Sequence, residues 1–299
     1  MKTLVKKEQA GFSLIEMVLA IVISGILAIG VVSFIGDSVN SLTTSSNRNK
    51  IATSGRIAID RLAMELHNAL PNSIRATAAV GGDQCIEFVP VRAATSYINP
   101  PFGAAGGTQF DVVDFIPSQE GVTGGYAVIY PNRLSRIYDG ENPTATGFRF
   151  RGMIEEITDI QDATPAGNLS EVTLAASHRF RRRSPTRRFF VVEQPVSYCV
   201  DGSNLYRYTN YGFYDNQPDT EDGAGCSLGA SENCLPNYTS APDKMLITDS
   251  IDNATGGITA FTVGTQTLTR NSLVEIEINF TSKGDSIILN HDVLSRSVP

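Results

Sequence analysis

Tryptophan is absent from this 299-residue chain, and only three histidines occur, His67, His178 and His291, far apart in sequence. None belongs to an HExxH, a nucleophile elbow or a CxxC pairing, and there is no glycine-rich phosphate loop. No catalytic residue is assigned on these grounds, and no cofactor is expected. A basic excess is missing too: 24 Lys and Arg stand against 31 Asp and Glu, a net charge of -7. Neutralising phosphates needs a basic surface, so no nucleic-acid partner is expected. Cysteine is sparse. Cys85, Cys199, Cys226 and Cys234 are an even set without zinc-site spacing, so no metal is assigned; they would be two disulfides in an oxidising compartment and buried thiols in the cytosol. Internal repeats and low-complexity tracts are also lacking. What remains is a chain that is 41% hydrophobic, long enough for one large domain or two small ones with a real core.

The N-terminus carries the clearest pattern. Lys2, Lys6 and Lys7 stand against a single Glu8 in the first eleven residues, and an apolar run follows at once from Phe12 to Ile35. As a helix this run of about 24 residues spans roughly 36 Å, enough to cross a bilayer core of about 30 Å. The lysines favour a cytoplasmic N-terminus and translocation of the rest. A secretory signal would instead give way to a small-residue cleavage site and polar sequence. Glu16 breaks the run, and an intramembrane carboxylate costs about 2.5–3.5 kcal/mol at a helix centre, so it calls for a partner.

The segment Ala10-Gly11-Phe12-Ser13-Leu14-Ile15-Glu16-Met17 resembles the type IV prepilin motif. The resemblance implies a leader, residues 1–11, removed by a prepilin peptidase between Gly11 and Phe12. Phe12 would then be N-methylated, and Glu16 would attract the terminal amine of a neighbouring subunit during assembly. Gly25 matches a glycine common in this helix, while Ser33 stands where many major pilins carry proline. The implied fold is α+β: a membrane and assembly helix over 12–35, its continuation over 36–70 packed on the head, and a periplasmic antiparallel β-sheet head over 71–299. The implied partners are the peptidase, other major and minor pilins, the inner-membrane assembly platform and the lipid bilayer.

The residues support that plan independently. Ile59, Leu62, Leu66 and Leu70 recur at steps of three and four, which predicts a helix with one apolar stripe, and Pro71 ends it. Beyond Pro71 the period becomes two. Cys85–Val91, Gln109–Ile116, Tyr126–Tyr130, Glu171–Ala175, Phe189–Val200 and Leu205–Tyr208 read as strands. Leu273–Phe280 alternates most cleanly and pairs with Ser286–Val293 across the Lys283-Gly284-Asp285 turn. The stretch Ser184–Tyr208 and the last strands resemble minor pilins of the mannose-sensitive haemagglutinin (MSHA) pilus system, of the MshO type. More loosely they resemble J-type pseudopilins of type II secretion and W-type minor pilins. The resemblance implies a non-enzymatic subunit in pilus initiation or at the tip; the alternatives are a secretion pseudopilin or a tip adhesin for glycan or surface.

Four further features are open to a functional or a plain reading. Six arginines between Arg179 and Arg188 would suit DNA, anionic lipid or an acidic neighbouring subunit, an acidic partner pilin first among them; the plain reading is a solvated loop. Asp215, Asp219, Glu221 and Asp222 gather hard oxygen ligands without EF-hand spacing, and an ordinary acidic loop is the simpler reading. Tyr206, Tyr208, Tyr211, Phe213 and Tyr214 offer sugar-stacking rings, or else sheet packing. In a periplasmic head the expected bridges are Cys226 with Cys234, closing a loop of about nine residues, and Cys85 with Cys199 by elimination. Four cysteines allow three pairings, and the sequence leaves them open.

Overall fold

A computed structural model describes residues 13–114, 124–138, 154–162, 169–221, 234–236, 243–264 and 272–295. Helix α1 covers Leu14–His67. The chain divides into two compact units, Met1–Lys50 and Ile51–Pro299, and α1 contributes to both. After α1 come β1 (Arg75–Ala76), β2 (Gln84–Phe88), β3 (Val91–Ser96), β4 (Gly107–Val113), β5 (Tyr126–Ile129) and the short α2 (Leu134–Tyr138). They are followed by β6 (Ile154–Asp162), β7 (Leu169–His178), β8 (Arg188–Val192), β9 (Val196–Asp201), β10 (Asn204–Tyr208), β11 (Thr220–Glu221) and β12 (Cys234–Leu235). The chain closes with β13 (Lys244–Thr248), one-turn α3 (Asn253–Gly256), β14 (Phe261–Val263), β15 (Ser272–Ser282) and β16 (Asp285–Ser295). A long apolar helix followed by antiparallel sheets is the α+β arrangement expected of a type IV pilin-like fold.

Within the second unit, the helix buries Ile51, Gly55, Ala58, Ile59, Leu62, Ala63 and Leu66. These positions recur at steps of three and four and so line one face. They share a core with Phe88 and Tyr198 of the sheet β1-β2-β9-β10-β13, and with Val274, Ile276, Ile278 and Phe280 of the sheet β14-β15-β16. Each fully buried large side chain is worth about 1.5–3 kcal/mol relative to exposure. Gly55 lets the helix come close: a Cβ there would lie 2.8 Å from the Phe280 ring and 2.9 Å from Leu289. The β15–β16 hairpin turns on two residues only, Lys283 (φ 50°) and Gly284 (φ 88°). Positive φ at both central positions is the type I′ geometry that matches strand twist, so Asp285 belongs to β16 instead of the turn.

Two strands expected from the sequence are each two strands. Cys85–Val91 divides at Val89-Pro90 into β2 and β3, and Phe189–Val200 divides at Glu193-Gln194-Pro195 into β8 and β9. Proline lacks the N–H a ladder needs, and both breaks fall at one. They lie side by side, with the Glu193 N–H donating to the Pro90 carbonyl at 3.0 Å. β2 and β9 pair in the main sheet, and everything from β3 to β8 is inserted between them.

The insertion is a small barrel. Its strands run in the order β3-β8-β5-β6-β7-β4, all antiparallel. The ring closes where Tyr97 bridges Val112 and the Ile98 N–H donates to the Asp111 carbonyl at 2.9 Å. Alternation sorts the side chains, as the pleat requires. Ala127, Ile129, Phe189 and Val191 point inward with Phe110, Val172 and Phe180. Val128, Phe190 and Val192 point outward and pack on Leu70, Val89 and Phe213 of the main head. The barrel therefore has its own core and is also seated against its host.

Cys85 and Cys199 are directly opposite on β2 and β9 and form a disulfide across a sequence separation of 114. This is the pairing reached by elimination from the sequence. It clamps the two strands from which the barrel emerges. Closing a loop of this length stabilises by about 2–5 kcal/mol, mainly by restricting the unfolded chain. In chemical denaturation, C85A/C199A is expected to lose stability of this order; an unchanged midpoint would show that the neck holds without its clamp.

Candidate functional site

Ser13 precedes the first helical residue and Glu16 is the third within the helix. The Ser13 N–H donates to Glu16 Oε2 at 3.1 Å, the return arm of a capping box that satisfies a donor the helix cannot. Glu16 thus has a local partner within its own chain. Every described residue from Ser13 to Asp37 is exposed, including large side chains such as Leu14, Ile29 and Phe34. A continuous exposed apolar helix of this length is the kind of surface that meets a membrane or another protein. α1 is long and apolar enough to cross a membrane. Gly11 and Phe12 lie outside the described residues.

Of the remaining cysteines, Cys234 is buried and disulfide-bonded, while Cys226 lies outside the described residues. The arginine run forms the loop between β7 and β8. By strand direction this loop is on the barrel rim opposite the neck. The Tyr97 hydroxyl donates to the Ser184 carbonyl at 3.2 Å and accepts from the Ser184 N–H at 2.9 Å, and the Arg187 carbonyl accepts from the Tyr97 N–H at 2.9 Å. Tyr208, Tyr211 and Phe213 are buried, so their ring faces are core and not a sugar platform. Of the acidic segment, Glu221 pairs with the buried Lys244 and accepts from the Tyr208 hydroxyl, while Asp222 lies outside the described residues. Among the described residues no group of three or more His, Cys, Asp or Glu side chains is placed to hold a metal ion. His67, His178 and His291 sit on three different elements, α1, β7 and β16.

A buried polar cluster that the sequence did not disclose seats the barrel on its host. Arg75 and Glu87 face each other on β1 and β2 and form a salt bridge, with the Glu87 side chain wholly buried. The remaining Arg75 N–H groups donate to the carbonyls of Asp215 at 2.6 Å and Tyr214 at 2.7 Å. The guanidinium also lies 3.6 Å above the ring of Tyr138 in α2, whose hydroxyl donates to the Ser73 carbonyl at 2.7 Å. The Tyr211 hydroxyl donates to Glu87 at 2.9 Å. Burial raises the Glu87 carboxyl above its ordinary value of 4.5, opposed by Arg75 and Tyr211. The same desolvation, together with the Glu87 charge, lifts the phenols of Tyr138 and Tyr211. A lone Arg on a two-residue strand carries no periodicity, which is why the pattern was silent about it.

Residues 6–32 match the prokaryotic N-terminal methylation motif. With the long apolar helix and the antiparallel sheets that follow, the motif marks a type IV pilin- or pseudopilin-like protein, a class with structural and not catalytic work. No curated protein and no solved structure matches the chain. The motif is shared by pilins and pseudopilins alike, so it sets the class without the system.

Removing Arg75 strands a buried carboxylate, a change that costs about 3–5 kcal/mol. A carboxyl whose folded pKa lies above its unfolded value gives its full stability below the latter and loses it as pH rises through the former. Glu87 already lies above 4.5 and rises further without its cation. Denaturation of Arg75→Gln should therefore show a penalty of about this size near pH 7 that shrinks as pH falls to about 5, and R75Q/E87Q should recover most of it. A penalty independent of pH would place the effect outside the ion pair.

Proposed function

We propose that the chain is a minor pilin-like subunit that takes part in initiating or capping a type IV pilus of the MSHA type. The observation that carries this reading is the exposed apolar helix from Leu14 to Ile35, interrupted by one carboxylate and overlapping the methylation motif of residues 6–32. In this reading residues 1–11 are a leader cut by the prepilin peptidase after Gly11, and Phe12 becomes the methylated first residue. The Ser13 amide that Glu16 caps is then the first amide of the mature chain. The carboxylate already stands at the helix end that processing creates, where it can exchange its own amide for a neighbour's terminal amine. Residues 12–35 insert in the inner membrane with the N-terminus cytoplasmic, and 71–299 form a periplasmic head. The partners are other major and minor pilins and the assembly platform, with the lipid bilayer as the waiting environment. Arriving in the periplasm also fits the clamped neck, because disulfides persist there.

Deletion of the gene should remove surface pili while leaving protein export intact. An export defect with normal pili would move the chain to the type II secretion pseudopilins, and normal pili with lost attachment would make it a tip adhesin. Gly11→Leu places a side chain next to the scissile bond, and the protein should accumulate with its leader attached; mature N-terminal Phe12 in mass spectra would overturn the cleavage site. Glu16→Ala should insert in the membrane at least as well, since a carboxylate is removed from the span. Crosslinking of that variant to other pilins should fall about tenfold or more, a loss of charge pairing worth about 1.4 kcal/mol or above. Crosslinking at the original level would disprove the pairing.

A further inference from the structure

The barrel rim opposite the neck concentrates charge in a form unlike a loose solvated loop. Arg181, Arg182, Arg183 and Arg187 are exposed, and none makes an ion pair among the described residues. Their backbone is fixed: Ser184 and Tyr97 exchange two hydrogen bonds, and the Ser184 Oγ accepts from the Arg188 N–H at 3.2 Å. The Phe180 N–H donates to the Pro101 carbonyl at 2.9 Å. Four arginines on a backbone held in place gather positive charge within one short stretch of the rim, which favours an anionic partner. Partly exposed Phe102, with Arg183 over its ring at 5.1 Å, and the exposed Ile98 adjoin them. Arginine beside apolar side chains is the composition of a protein interface core.

The opposite pattern lies on the outward face of β15 and β16. Glu275 is directly across from Asp292, with Glu277 on the same face. Like charges opposed on neighbouring strands are destabilising. Next to them Leu273 and Leu294 are cross-strand partners, both exposed. One surface is basic with an apolar patch and the other acidic with an apolar patch, and each keeps like charges together at a cost that the other would offset.

We propose that the arginine rim of the barrel docks on the acidic β15–β16 face of a second copy of this chain. Such a contact joins two different faces, so it is heterologous. It names a head contact for the subunit proposed above and rests on that reading for its setting, though the two surfaces stand without it. Charge balance favours a protein partner over a polyanion, since the chain as a whole carries -7.

The test uses the full chain in detergent micelles, with a photo-crosslinking amino acid at Ile98, which leaves every arginine in place. The expected product is a covalent dimer joined between position 98 and residues 272–295 of the second copy, weakened several-fold between about 50 and 500 mM salt. R181E/R182E should cut its yield about tenfold, and mixing that variant with an E275K/D292K copy should restore it to within about threefold. Retention of the Cys85–Cys199 bridge in peptide maps verifies folding of each variant. A dimer indifferent to charge reversal, no rescue by the swapped pair, or capture of added DNA or anionic lipid in place of protein would overturn the proposal. Leader processing, scored in the same preparations, reports separately on the pilin reading, because it depends on residues 11 and 12 and not on the head.

Discussion

The pairing of β2 with β9 is the constraint from which the head is built. Through it the main sheet continues on both sides, to β1 and to β10 and β13, and the apolar stripe of α1 finds Phe88 and Tyr198 to cover it. From its far end the chain leaves through Pro90, forms a six-stranded barrel and returns through Pro195. A pair of adjacent strands normally needs a turn of a few residues, and here a domain-sized insertion fills that place. Covalent closure at Cys85–Cys199 makes the pairing tolerate so long a loop, whose closure entropy would otherwise count against it.

Charge is allotted by location. Among the described residues, the head's buried ions sit in tied sets, with Arg75 and Glu87 satisfied by carbonyls and a phenol and Lys244 by Glu221. These sets join segments that apolar packing alone would leave free to slide: the β1–β2 pair, the Tyr214–Asp215 segment and α2. At the surface, Arg181, Arg182, Arg183 and Arg187 share one rim, and Glu275, Glu277 and Asp292 share one sheet face. In the apolar helix a single carboxylate is held by its own capping amide. Specificity in such a protein comes from where the few charges are put, against a background of apolar surface that binds without discrimination.

Periodicity made the helix stripe and the β15–β16 hairpin legible, because each repeats one rule over many residues. Ile59, Leu62 and Leu66 face the core as their spacing indicates, and Val274, Ile276, Ile278 and Phe280 face it from the other side. Phe189–Val200 reads as one strand because Glu193-Gln194-Pro195 is a short interruption in a run of β-formers, and Pro90 is a shorter one still. Each proline taken singly is a weak signal. Taken as a pair flanking roughly equal strand runs, next to two cysteines in matching positions, they mark a neck. The barrel itself was hidden because it closes through β4 with β7 and through β8 with β3 and β5, pairings between segments far apart along the chain that no local pattern encodes. The arginine run was visible at once as composition; that it rides on a rigid rim depended on Tyr97, nearly ninety residues away along the chain.

The clamp at the neck also decides how the head would bear a pull. Tension entering along β2 and leaving along β9 passes from one strand to the other through the sulfur bridge, and the intervening chain is left off the load path. At about 3.4 Å per extended residue, the 114-residue separation withholds close to 400 Å of slack from any stretching force. A head under tension along these strands would then lengthen only by what its main sheet yields, while the barrel stays folded as a passenger. Mechanical toughness and the carriage of an extra domain are, in this head, one and the same covalent bond.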